Sequence, residues 1–152
     1  FGGVSRSPEG RVVNLAHNAL VKSSDFKAEK GEQHGMHWCP VQKIPELIYD
    51  HSEIVQFSRD RLARRVSRRP LGFHMLPTEF TLGQLLKLYE TALSKKIDKR
   101  NFRKKLFKTN LLEELHRKAD GSKYGQYKGS LLYQFNKQEY QDMNLKVYPF
   151  QF

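Results

Sequence analysis

A helix-start signature recurs three times in this 152-residue chain, and the spacing of the last two leaves few folds open. Asp50 is followed three positions later by Glu53, and Tyr49 and Ile54 flank the pair. Thr81 is followed by Gln84, with Phe80 and Leu85 as the flanking apolar residues. Asp98 is followed by Asn101, with Ile97 and Phe102 around it. Each set has the form of a capping box inside a hydrophobic staple, which satisfies the orphan amides of a first helical turn and fixes the entry angle of the chain. The third box is imperfect, because Asn reaches back less well than Glu or Gln.

The helix after Asp50 is expected to bury Ile54, Val55, Ser58, Leu62 and Val66, leaving Arg59, Arg61, Arg64 and Arg65 largely elsewhere. After Thr81, Leu82, Leu85, Leu86, Tyr89, Ala92 and Leu93 hold helical period over three turns. Only Ser94 to Ile97 separate this helix from the next, so the two must cross steeply, as in a helix-turn-helix. A strand is expected near Leu111–His116. A polar loop with Gly121, Gly125 and Gly129 follows, and then the β-prone run Leu131-Leu132-Tyr133-Gln134-Phe135. Helix, turn, helix and hairpin make a winged helix.

Upstream, Arg11–Val21 and Met36–Val41 read as strand candidates. Residues 67–77, with Arg68, Arg69, Pro70, Gly72 and Pro77 and no helical period, read as a linker. The fold class expected is α+β: an α/β segment over residues 1–66, then a winged helix-turn-helix over residues 78–152. The aromatic tail Tyr148-Pro149-Phe150-Gln151-Phe152 is expected to pack on the body or on a second subunit. The chain opens at Phe1 without a methionine, and an N-terminally truncated protein is the expectation.

Charge narrows the partners. The formal net charge is +11, favouring polyanions, and its distribution is uneven. Residues 1–66 carry 10 Lys and Arg against 8 Asp and Glu, while residues 67–152 carry 17 against 8. Nearly all of the excess lies in the half that reads as a winged helix, as a nucleic-acid-binding module requires. The single cysteine, Cys39, excludes an intrachain disulfide framework and a multi-cysteine zinc site, and fits a reducing cytoplasm. No apolar run reaches the roughly 20 residues of a membrane-spanning helix, and nothing at the start reads as a signal peptide.

The third helix concentrates the chemistry. Lys95 to Lys108 contains eight basic residues and one acid, Asp98, which is occupied as a cap. If Phe102 and Leu106 face the core, Arg100 and Lys104 point almost directly away, with Asn101, Arg103 and Lys108 flanking. Such a helix fits the major groove of B-DNA, with its first turn nearest the base edges. Arg pairs bidentately with guanine and Asn with adenine, so Arg100, Arg103 and Asn101 are the expected base contacts. Lys99, Lys104 and Lys105 are expected on phosphates, and Lys123, Tyr124 and Lys128 in the wing on phosphate or minor groove.

These residues resemble a known family. Leu76-Pro77-Thr78-Glu79-Phe80-Thr81-Leu82, Leu88-Tyr89-Glu90 and Asp98-Lys99-Arg100-Asn101-Phe102-Arg103-Lys104-Lys105 are similar to the winged helix of the Nudix-related transcriptional regulators. Phe1–Val21 resembles late strands of a Nudix domain. Trp38-Cys39-Pro40 and Pro45-Glu46-Leu47-Ile48-Tyr49-Asp50-His51 resemble the stretch leading into its last helix. The resemblance implies a bacterial regulator whose Nudix-like domain senses a small-molecule effector, a sugar or nucleotide-like metabolite, while the winged helix binds double-stranded operator DNA. Two-fold operators imply a homodimer. The Glu-rich metal-binding box of Nudix hydrolases is not found in this sequence, and by position it would precede Phe1. No cofactor is implied. The alternative is a fragment of a Nudix pyrophosphohydrolase whose box lies upstream; an RNA-binding domain ranks below both, because such modules display aromatic platforms on a sheet, whereas the basic residues here cluster on a helix.

Other constellations carry less. His34 and His37 lack a third ligand, so no metal site is expected. Cys39 beside His37 and Trp38 reads as packing rather than as a nucleophile, and no Gly-rich phosphate loop has a known spacing.

Overall fold

The computed structural model describes residues 1–3, 8, 10–21 and 37–143. It divides into two compact units, Phe1–Asp60 and Arg61–Phe152. In the first unit the described part of Arg11–Val21 forms no strand, and Asn14 N donates to Phe1 O at 2.8 Å without a ladder developing. Val13, Leu15, Leu20 and Val21 stand exposed. A strand exists only through a continuous ladder with a neighbour, and among the described residues this segment has β propensity without one. The second strand candidate also fails over its described residues, because Val41–Lys43 is a turn of 3₁₀ helix entered from Pro40. Tyr49, expected to staple onto Ile54, is instead exposed, with φ 53° and its ring edge-on to His51.

Helix α1 (His51–Arg68) begins one residue after Asp50, and the division between units falls inside it. Its last two turns bury Val66 and half-bury Leu62 against the core of the second unit. The segment read as a linker is not one. Residues 71–75 form α2 (Leu71–Met75), and Phe73 and Leu76 are buried in the same core. Two turn-forming residues hid this element. Pro70 sits at its N-cap, where the missing amide costs nothing, and Gly72 lets α2 approach its neighbour closely. A Cβ on Gly72 would lie 2.9 Å from Leu88 Cδ2 and 3.2 Å from Tyr89 Cε2.

Strand β1 (Glu79–Thr81) leads directly into α3 (Leu82–Leu93). The box at this helix start is complete: Gln84 N donates to Thr81 Oγ1 at 3.2 Å, and Thr81 N donates to Gln84 Oε1 at 2.9 Å. Helix α4 (Lys99–Phe107) follows, then β2 (Leu112–Lys118), β3 (Leu131–Phe135) and α6 (Lys137–Asp142). Between β2 and β3 the expected open loop is folded. It contains α5 (Gly121–Tyr124), capped by Asp120, and a 3₁₀ turn over Gly125–Tyr127.

The three strands form an antiparallel sheet in the order β1-β3-β2, with Glu79, Gln134 and Glu113 in one row. The β2–β3 register shifts between Glu114 and Lys118, where His116 takes φ 51°. This bulge turns Arg117 to reach Glu79 on the far strand. The principal core gathers Phe73, Phe80, Leu85, Leu86, Tyr89, Phe102, Leu106 and Tyr133. A second cluster of Ala119, Tyr124 and Leu132 lies under the wing. The aromatic tail lies outside the described residues.

Candidate nucleic-acid interface

The placement of α4 follows from two side chains. Phe102 and Leu106, four residues apart, are 2% and 0% exposed. Their burial contributes roughly 1.5–3 kcal/mol each, whereas each like-charge pair along the outer face, such as Arg100 with Lys104, costs about 0.2–0.5 kcal/mol. The seam therefore wins, and the basic face is held outward. Lys99, Arg100, Asn101, Arg103 and Lys104 are all exposed, while Lys105 is half-buried at the edge of the seam. Asp98 caps the helix, with Asn101 N donating to its Oδ1 at 2.7 Å. That removes the single acid in this stretch from the outer face and places it where the helix dipole favours it.

Aromatic contacts hold α4 against the body. The rings of Tyr89 and Phe102 meet edge-to-face at 5.7 Å, and those of Phe107 and Tyr133 at 5.9 Å. The Arg103 guanidinium lies 5.3 Å from the centroid of Phe107, one turn along the same helix. Tyr133 is buried, and its hydroxyl donates to Glu114 at 3.5 Å. Burial pushes the Tyr133 phenol above its usual range, the nearby Glu114 charge adds to this, and the Arg103 charge opposes it.

Sequence reasoning missed the residue that fixes the turn. Glu90 Oε1 accepts from Ile97 N at 3.2 Å, and Glu90 Oε2 pairs with Lys96 at 3.4 Å. The Ile97 amide and then the Lys96 charge hold the Glu90 carboxyl below the usual range, against the opposing effect of partial burial. Ser94 ends α3 in the left-handed region at φ 52°, and Lys95 N closes the turn on Glu90 O. The legible signal was an acid seven positions before an Ile-Asp helix start, beside a lysine.

The wing is fastened at three points. Tyr127 lies over Gly83 in the first turn of α3, Tyr124 Oη donates to Glu79 O at 3.4 Å, and Arg117 pairs with Glu79. Tyr124 is 7% exposed, so its expected place among the contact residues is corrected: its ring is needed to fill the cluster beneath the wing. Lys123 is exposed, with its ammonium 5.4 Å from the Tyr124 ring centroid, and Lys128 is exposed beside Gly121. Asp120 caps Ser122 N at 2.6 Å, and its hydrogen bonds from Ser122 hold its carboxyl below the usual range. Gly125 and Gly129 take φ 49° and 80°, which permits the tight return into β3.

Of the remaining candidates, Cys39 and Trp38 are exposed rather than packed, Cys39 Sγ lying 3.3 Å from Lys43 O. His34 lies outside the described residues, and no group of three potential metal ligands is gathered among those described. No helix among them is long and apolar enough to cross a membrane.

The second unit presents a helix-turn-helix with an outward basic second helix and a sheet-borne wing, and residues 72–135 match the NrtR DNA-binding winged helix domain. The chain is 29% identical over 145 residues to the "ADPR responsive transcriptional repressor NtrR" of Acinetobacter baylyi, covering 92% of this chain and 55% of the relative. The chain thus spans about half the length of that relative. Its fold is similar to the crystal structure of Shewanella oneidensis NrtR, with a TM-score of 0.61 and 24% identity, covering 90% of this chain and 61% of the other. Shewanella oneidensis NrtR complexed with a 27mer DNA gives a TM-score of 0.64 at 22% identity, covering 93% of this chain and 64% of the other. The NrtR match begins inside α2, at Gly72, within the stretch read as a linker, and ends on the last residue of β3.

Proposed function

We propose that this chain is the DNA-binding part of a sequence-specific, metabolite-responsive transcriptional regulator acting as a homodimer in the bacterial cytoplasm. The observation that carries the reading is α4: a capped helix seated by Phe102 and Leu106, with Arg100, Asn101, Arg103 and Lys104 exposed on its outer side. In this reading the first turn enters the major groove. Arg100 and Arg103 read guanine edges and Asn101 reads adenine, while Lys99, Lys104 and Lys105 hold phosphates. Lys123 and Lys128 carry the wing to the flanking backbone. Leaving Phe107 for a base edge would cost Arg103 a cation–π contact of about 0.5–1 kcal/mol, less than a bidentate guanine pair returns.

The regulator works by binding rather than by catalysis in this proposal, and its effector is nucleotide-like. Support comes from the Acinetobacter relative, whose description names an ADPR-responsive repressor. A two-fold operator would then be read by two α4 helices about one helical turn of DNA apart.

The test is a salt titration of binding to genomic DNA fragments, comparing wild type with Arg100→Ala/Arg103→Ala. Wild type should select particular fragments. The variant should lose about 1–3 kcal/mol for each base pair contacted and retain only salt-sensitive, non-selective binding. Equal binding of all fragments by both proteins, or no duplex binding by either, would overturn the proposal.

A further inference from the structure

Helix α1 carries a second basic surface that the reading of α4 does not use. Arg61, Arg64, Arg65 and Arg68 stand at i, i+3, i+4 and i+7, the spacing that places side chains on one helical face. All four are exposed. With Val66 and Leu62 packed into the core, that face is the one turned away from it. None of the four forms an ion pair among the described residues. Asp60, the acid just before the stripe, accepts instead from Gln56 at 2.9 Å. Uncompensated like charges at i+3 and i+4 work against the isolated helix, so the arrangement calls for a polyanion.

We infer that this arginine stripe is a second phosphate-binding surface, which grips the backbone of the same duplex that α4 reads. The inference rests on the proposed DNA-binding function. Seven residues of helix span about 10 Å, and duplex DNA presents one negative charge per roughly 1.7 Å of its axis, so four guanidinium groups meet a matching density of phosphate. The use of arginine at every position suits bidentate phosphate contact. Both basic surfaces are fixed to one core, because Val66 and Phe102 belong to the same buried cluster. The stripe lies outside the NrtR-matched residues 72–135. It supplies affinity without sequence information.

The experiment measures the salt dependence of binding to one selected duplex for wild type, for Arg61→Gln/Arg64→Gln/Arg65→Gln/Arg68→Gln, and for the same four positions changed to Lys. Each phosphate contact adds about 0.9 to the magnitude of the slope of log K against log salt. The Gln variant should lose about 2–4 from that slope, bind every fragment more weakly by a similar factor, and keep its fragment preference. The Lys variant should recover most of the slope, showing that charge was removed rather than the fold. A Gln variant with the wild-type slope overturns the inference while leaving the α4 reading intact. Loss of fragment preference in the Gln variant, with its helical circular dichroism unchanged, overturns the assignment of the stripe to phosphate. If wild type fails to bind duplex, the inference and the reading it rests on fall together.

Discussion

The ring of Tyr127 occupies the space where a side chain on Gly83 would begin: a Cβ there would lie 2.6 Å from Tyr127 Cε1 and 2.8 Å from Cδ1. Gly83 is the second residue of α3, and Tyr127 ends the 3₁₀ turn of the wing. The helix-turn-helix and the wing are therefore joined by a contact that only glycine permits.

Gly83→Ala should consequently destabilise the protein. At an unconstrained helical site the same change would add about 0.5–1 kcal/mol of stability. Here the overlap must displace an aromatic ring from a packed cluster, and overpacking of this kind costs roughly 1–3 kcal/mol. Denaturant unfolding of Gly83→Ala and of Gly83→Ala/Tyr127→Ala would check the sign. The double variant should lose less than the sum of the two single changes, because the clash is gone.

Glu90 makes the turn between α3 and α4 sensitive to acid. Its carboxyl is held below the usual range in the folded protein by the Ile97 amide and the Lys96 charge. A group with a depressed folded value contributes its stability above the unfolded value and loses it as pH falls through the folded one. Wild type should therefore be more stable than Glu90→Gln near pH 7, and the difference should vanish on acidification below the ordinary carboxylate range. Urea unfolding of both proteins between about pH 7 and pH 3 measures this. A difference that stays constant over that window would show that the charge on Glu90 does not hold the turn.

Ser94 occupies the left-handed region at the end of α3, φ 52°, where a Cβ is unfavourable. Ser94→Gly should raise stability by about 0.5–1 kcal/mol, since glycine is the residue such a cap prefers. Thermal unfolding checks it, and the DNA binding proposed for the α4 face should be unaffected because the turn geometry is unchanged. A lower Tm would mean that the Ser94 side chain contributes more than the backbone strain it causes.

The helices that seat the interface were readable from local signals. The Thr81 and Asp98 caps act within one turn, so sequence spacing is enough to find them, and both hydrogen bonds are present. The outward basic face of α4 needed only the positions of Phe102 and Leu106 within a period of 3.6 residues. The strand following α4 and the returning Leu131–Phe135 strand were also legible, as short apolar or alternating runs between turn residues.

Elements whose existence depends on a distant partner were not. Arg11–Val21 has strand composition, but no ladder forms over its described residues. Residues 71–75 look like a linker because five residues are too few to show helical period, and Pro70 and Gly72 read locally as breakers. It is the approach of Leu88 and Tyr89 that makes Gly72 a packing residue. Tyr124 is exposed-looking in a Gly- and Lys-rich loop, yet the cluster under the wing takes its ring inside.

By itself, then, the sequence determined where α3 and α4 start, which side of α4 is apolar and where the positive charge collects, because these are properties of neighbours within about one helical turn. Tertiary structure alone decided that Glu90 would latch onto Ile97, that Glu79 would receive both Arg117 and Tyr124, and that Tyr127 would close over Gly83. Those contacts join residues 7 to 45 positions apart, and no local period encodes them. They form only when the core has buried enough apolar surface to bring the elements together and offset the entropy of closing the loops between them.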